Sequence, residues 1–67
     1  MLPIANNVRV EREARGMTQS ELGAAIGLTR QTVAAIEQRR YSPSLEAAFR
    51  IAQLFGMTVD SLFHWEG

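Results

Sequence analysis

Twenty residues, Thr18 to Glu37, constrain the fold more than any other part of the chain. Thr18 and Glu21 make the T-x-x-E pattern of a capping box, in which the hydroxyl and the carboxylate each answer a free backbone amide, so a helix is expected to start at Gln19. Leu22, Ala25 and Ile26 are expected to form its buried face. Gly27 ends it, with the positive φ that glycine adopts at little cost. Thr29 caps a second helix whose inner face is Val33 and Ile36. Two short helices joined by so tight a turn must pack closely, and Gly23 is the small residue where they meet. Leu28 is expected to tuck under the turn.

The flanking sequence has the same helical period, punctuated at Gly16, Ser42-Pro43 and Gly56. Asn6 or Asn7 is expected to cap a first helix over roughly residues 7–15, with Val10, Ala14 and Met17 as its apolar line and Gly16 as its stop. Ser44 caps a fourth helix carrying Leu45, Ala48, Phe49, Ala52 and Phe55, which Gly56 ends. Thr58 caps a last short helix holding Val59, Leu62 and Phe63. The apolar ends, Leu2–Ala5 and Phe63–Glu66, read as extended and are expected to pair as a small two-stranded sheet, with Pro3 at an edge or non-bonding position. The expected architecture is all-α, five helices in a single domain over residues 1–67, with the sheet as an accessory.

Composition narrows the chemistry. The chain has no cysteine and a single histidine, His64, so disulfides, Cys-ligated zinc and a His-based catalytic triad are not expected. Glu11 and Glu13 form a carboxylate pair with no sign of a substrate pocket, and neither an enzyme nor a cofactor is expected. No apolar run approaches the ~20 residues of a membrane span, and the N-terminus does not read as a signal peptide; a cytoplasmic, nucleoid-associated location is expected. The net charge is zero, yet all seven basic residues are arginines. Arg30, Arg39 and Arg40 cluster in and just after the third helix with only Glu37 among them. That basic edge attracts phosphate locally.

The start of the third helix carries Arg30, Gln31 and Thr32. When such a helix lies in a major groove, its N-terminal residues meet base edges. Arginine bonds guanine bidentately, glutamine does the same to adenine, and a threonine or alanine methyl meets thymine. Arg30, Gln31, Thr32 and Ala35 are therefore the expected base-reading set. Gln19, through the free amide of a helix start, and Thr29, Gln38, Arg39, Arg40 and Tyr41 are the expected phosphate contacts. Plainer readings stand beside these: Arg30 and Gln31 as solvated helix surface, Arg39-Arg40 as a helix end favoured by the dipole, Tyr41 packed on the fourth helix, and His64 as a surface residue.

The chain from about Val8 to Phe63 resembles the Cro/repressor class of helix-turn-helix proteins, often called Xre-type. The residues that carry the likeness are Arg12–Leu22, Gly27–Glu37, Ser42–Leu45 and Met57–Phe63. The resemblance implies a lambda-repressor-like five-helix domain, with the helix-turn-helix at about residues 18–38, acting as a prokaryotic transcriptional regulator. It implies a homodimer on two-fold, double-stranded DNA with half-sites ~34 Å apart. It also implies a partly buried ion pair between Arg12 and Glu37. One departure is Glu11, where many members have an apolar residue. It implies a thinner or rotated first helix, and Glu11 can instead pair with Arg15 four residues on.

Leu54, Phe55, Met57, Val59, Leu62, Phe63 and Trp65 put many apolar groups at one end of a small chain. Phe63 and Trp65 can fill the core of one protomer or anchor a partner; the expectation is a dimer interface over about residues 54–66. No small-molecule or membrane partner is expected. An antitoxin-like protein-interaction module that autoregulates through DNA is the alternative; a toxin-binding tail would favour it, and these 67 residues contain none.

Overall fold

The computed structural model describes residues 1–67, in the order β1 (Ile4–Asn6), α1 (Val8–Ala14), α2 (Gln19–Ile26), α3 (Arg30–Glu37), α4 (Leu45–Phe55), α5 (Val59–Leu62) and β2 (Phe63–Trp65). Four of the five helices start at a hydroxyl that accepts an amide from the first turn: Thr18 from Glu21, Thr29 from Thr32, Ser44 from Ala47 and Thr58 from Ser61. At Thr18 the capping box is complete, with the Glu21 carboxylate accepting the Thr18 amide at 2.8 Å. At α1 the cap position is Asn7, whose side chain makes no capping bond. Its neighbour Asn6 does this work, accepting the Val8 amide at 3.0 Å.

The core is one apolar cluster built from Val8, Leu22, Ile26, Val33, Ile36, Ala48, Ile51, Ala52, Phe55, Leu62 and Phe63. The long α4 packs against α1 and α2, and α5 packs against α4 and β2. Arg15 ties α1 to the end of α4: its Nη2 donates to the Phe55 carbonyl at 2.6 Å and its guanidinium lies 4.5 Å from the centre of the Phe55 ring. β1 and β2 pair antiparallel with Ile4 opposite Trp65, Ala5 opposite His64 and Asn6 opposite Phe63. This is the terminal sheet expected from sequence, with β1 starting two residues later and ending one residue later than Leu2–Ala5. Pro3 stands just outside the strand, where it needs no ladder donor, and its carbonyl accepts the Glu66 amide at 2.6 Å. No helix is long and apolar enough to cross a membrane.

Three expected helix faces need correction. In α1 the inward residues are Val8 and Arg12, whereas Val10 is 63 % exposed and Ala14 is exposed. The helix is rotated because the buried arginine, not an apolar residue, takes the central inner position. In α2, Ala25 is exposed and Gly23 is buried beside Leu22 and Ile26. In α4 the inner face is Ala47, Ala48, Ile51, Ala52 and Phe55, which leaves Leu45 71 % and Phe49 57 % exposed. An eleven-residue helix with apolar groups on most sides fits more than one phase, and here the small alanines face inward where α4 meets its neighbours.

Replacing the fully buried Leu22 by alanine is expected to cost about 2–5 kcal/mol of stability. Replacing the exposed Val10 by alanine is expected to change stability by no more than ~0.5 kcal/mol. Urea denaturation followed by circular dichroism checks both.

Candidate nucleic-acid interface

The turn between α2 and α3 is fixed by contact between backbones. A Cβ on Gly23 would lie 2.6 Å from the Leu28 carbonyl oxygen, so no side chain fits there. The Gly23 carbonyl in turn accepts the Leu28 amide at 2.8 Å. Gly27 sits at φ +78°, and Leu28 is half-buried against the core as expected. Gly23 therefore meets the turn rather than α3 itself, and sets how sharply α3 leaves α2.

Beneath α3 lies a buried ion pair. Arg12 Nε donates to Glu37 Oε2 at 2.7 Å and Nη2 donates to Oε1 at 3.4 Å. The Glu37 side chain is only 2 % exposed. Arg12 Nη1 donates to the Met17 carbonyl at 2.6 Å, and the Gln19 amide donates to Glu37 Oε1 at 3.0 Å. No buried side-chain polar atom lacks a partner. The pair thus joins α1, the α1–α2 loop, α2 and α3. The hydrogen bond to Glu37 raises the Arg12 pKa above its ordinary value, burial pulls against it, and the charges of Glu37 and Glu13 add to the rise. A raised base keeps its contribution below its unfolded pKa and loses it only above the folded one. The pair therefore keeps its cation through the whole range where proteins are handled.

The outer start of α3 is open. Arg30 and Gln31 are exposed; Thr32, Ala34 and Ala35 are partly covered. Thr32 Oγ1 lies 3.0 Å from Thr29 Oγ1, so the cap and the expected base contact share a hydrogen bond. Five of the seven arginines are neutralised by carboxylates: Arg9 by Glu13, Arg12 by Glu37, Arg15 by Glu11, Arg39 by Glu66 and Arg50 by Glu46. Arg30 and Arg40 have no carboxylate partner, and they bracket α3.

The expected phosphate residues divide. The Gln19 side chain is turned in to Glu37, leaving its backbone amide at the free start of α2. Thr29 is committed to its cap. Gln38, Arg40 and Tyr41 are exposed, and Arg40 Nε donates to Gln38 Oε1 at 2.9 Å. Tyr41, 52 % exposed, is not packed away beneath α4. Arg39 is the correction: its guanidinium turns from solvent to Glu66 and the Leu2 carbonyl. Three of the expected interface residues are also corrected. Phe55, Leu62 and Phe63 belong to the protomer core, because they close the space between α4, α5 and the sheet. Leu54 and Trp65 are exposed, while Met57 and Val59 are half-buried. Leu45 and Phe49, exposed apolar residues of α4, were not expected at the surface because their period reads as core.

The fold and this packing define a lambda-repressor-like helix-turn-helix domain. The helix-turn-helix family model matches residues 8–62, and the chain belongs to that family, in its Xre-type branch. It is 39 % identical over 61 residues to an uncharacterized HTH-type transcriptional regulator of Methanocaldococcus jannaschii, covering 91 % of this chain and 92 % of that one. It is 44 % identical over 61 residues to the uncharacterized HTH-type transcriptional regulator YgzD of Bacillus subtilis, with the same coverage of 91 % and 92 %. Among solved structures, the P22 c2 repressor in complex with a synthetic operator superposes with a TM-score of 0.78 at 18 % identity, covering 81 % of this chain and 82 % of that one. The protein is a helix-turn-helix transcriptional regulator.

Removing Glu37 strands Arg12 in the core. Glu37→Ala is expected to cost about 3–5 kcal/mol, a large share of the roughly 3–10 kcal/mol available to a domain this size. The double replacement Arg12→Met, Glu37→Leu is expected to recover most of that loss in thermal melts.

Proposed function

We propose that this regulator binds double-stranded DNA as a homodimer, each protomer laying α3 in a major groove, and acts as a repressor at a two-fold operator. The observation that carries the reading is the exposed edge of Arg30 and Gln31, with the partly covered Thr32 beside them, on a helix held rigidly from beneath, with the two unneutralised arginines at its two ends. Arg30 and Gln31 offer the bidentate donors that read guanine and adenine, and Thr32 and Ala35 offer methyl contacts to thymine. The Gln19 backbone N–H, Gln38, Arg40 and Tyr41 hold the phosphates and fix register. With a net charge of zero, affinity for random duplex is low and falls further with salt, so base reading supplies a large part of the selectivity.

The homodimer has a surface suited to it. Leu45 and Phe49 of α4 stand beside Met57 and Val59, and Ile4 continues this face to its cross-strand neighbour Trp65, 71 % exposed. Leu54 lies apart, on a cleft with Ala25 and Ile26. The face is apolar and outside the base-reading edge, so a second copy can cover it while both α3 helices stay free. An unlike protein at this face is the alternative, and it would leave the purified chain monomeric.

Selection of bound duplexes from a random pool is expected to yield a two-fold motif. Arg30→Ala and Gln31→Ala are each expected to weaken binding to the selected duplex by about 1–3 kcal/mol, with unchanged melting. Unaltered affinity in a gel-shift titration would refute the reading. Phe49→Glu is expected to shift sedimentation from dimer to monomer without unfolding the protomer, and a persisting dimer would remove this face from the contact.

A further inference from the structure

Four helices of this chain end on a residue in the left-handed region, and three use glycine: Gly16 at φ +67°, Gly27 at +78° and Gly56 at +68°. The end of α3 uses Arg39, at φ +59°, the single non-glycine residue in that region. Its backbone bonds are those of a Schellman ending: Arg40 N–H donates to the Ala35 carbonyl at 2.9 Å, and Arg39 N–H to the Ile36 carbonyl at 3.0 Å. Glycine is the residue this geometry favours. An arginine here is strained unless its side chain gains something that glycine cannot supply.

What it gains is a grip on both chain ends. Arg39 Nε and Nη2 donate to the Leu2 carbonyl at 3.1 and 2.6 Å, and Nη1 donates to Glu66 Oε1 at 3.0 Å. The Leu2 amide donates back to the Arg39 carbonyl at 3.1 Å. Glu66 N–H closes the ring on the Pro3 carbonyl, and Asn6 Nδ2 donates to the Ile36 carbonyl at 3.0 Å in the last turn of α3. The terminal sheet is therefore fastened to the end of α3 at two places. The segment it holds, Gln38–Tyr41, carries Arg40, the unneutralised cation on that side.

We propose that Arg39 is a positioning residue for DNA binding: it latches the terminal sheet to the end of α3 and thereby fixes the chain that presents Gln38, Arg40 and Tyr41 to phosphate. The inference rests on the DNA-binding reading above. In it, Arg39 itself touches no phosphate. Its work is to pre-order its neighbours, so that they lose less freedom on binding.

The test uses the 67-residue chain, its variants and one duplex of 20 base pairs carrying the selected motif. Arg39→Asn keeps a residue that tolerates positive φ and deletes only the fork. It is expected to weaken binding about three- to tenfold, with the slope of log affinity against log salt unchanged. A lost phosphate contact would instead lower that slope by about 0.9. The same substitution is then made in a background with the latch opened from its other side, by deleting Leu2 and Pro3 and adding Glu66→Ala, which removes the carbonyl and the carboxylate that the fork grips. There Arg39→Asn is expected to have less than about a twofold effect, since nothing is left to latch. Hydrogen exchange at the Arg40 amide, without DNA, is expected to quicken in Arg39→Asn and in the opened background alike. A reduced salt slope, an equal loss in both backgrounds, or unchanged exchange overturns the latch while leaving DNA binding intact. If the unaltered chain ignores every duplex at low salt, the DNA-binding reading fails and the inference falls with it. Arg30→Ala, measured beside them, separates these cases, because it weakens binding whether or not the latch exists.

Discussion

The Glu37 carboxylate, buried at the end of α3, is the constraint around which the domain is arranged. Alone in the core it would be prohibitively costly, and it persists because three elements converge on it. Arg12 comes from α1, Gln19 from the start of α2, and the Met17 carbonyl anchors the guanidinium from the other side. The cluster acts as a fixed point more than as a source of net stability, since a buried pair often does no better than an apolar one of the same shape. It can be satisfied in only one relative placement of α1, α2 and α3. Gly23 sets the same placement by backbone contact at the turn. Two independent devices, one electrostatic and one steric, thus hold the angle at which α3 is presented.

This arrangement also resolves the conflict between a neutral chain and a polyanionic partner. Most of the positive charge is used up in pairs that hold helices and termini together. What remains unneutralised is small, and it brackets the exposed helix. In the proposed reading, attraction and discrimination fall to the same short stretch of chain, and the rest of the arginines serve architecture.

Legibility in the sequence follows the range of the interactions. The caps at Thr18, Thr29, Ser44 and Thr58 involve neighbours three residues apart, and each falls where the sequence pattern puts it. The positions of Gly23, Gly27 and the exposed Arg30-Gln31 edge follow from the same local logic. The inward phases of α1 and α4 do not. In α1 a buried arginine displaces Val10 from the inner face, and nothing in the helix's own period announces it. In α4 the alternatives differ only in whether alanines or larger groups face the core, which depends on how closely the neighbouring helices approach. Arg39 was least legible of all. Its left-handed backbone lacks the usual glycine, and its partners Leu2 and Glu66 lie 37 and 27 residues away. Phe55, Leu62 and Phe63 show the same limit: an apolar residue near a chain end does not reveal whether it fills its own protomer or a neighbour's.

The central claim is that the surface beginning at Arg30 enters the groove of a duplex. Backbone amide shifts of the labelled protein, followed as a 20-base-pair duplex is added at low salt, test it most directly. The account predicts the largest changes at Arg30–Ala35, with smaller ones at Gln19 and Gln38–Tyr41 and little movement at Leu45, Phe49 or Trp65. Shifts confined to the α4 face, or none anywhere along α3, would contradict it.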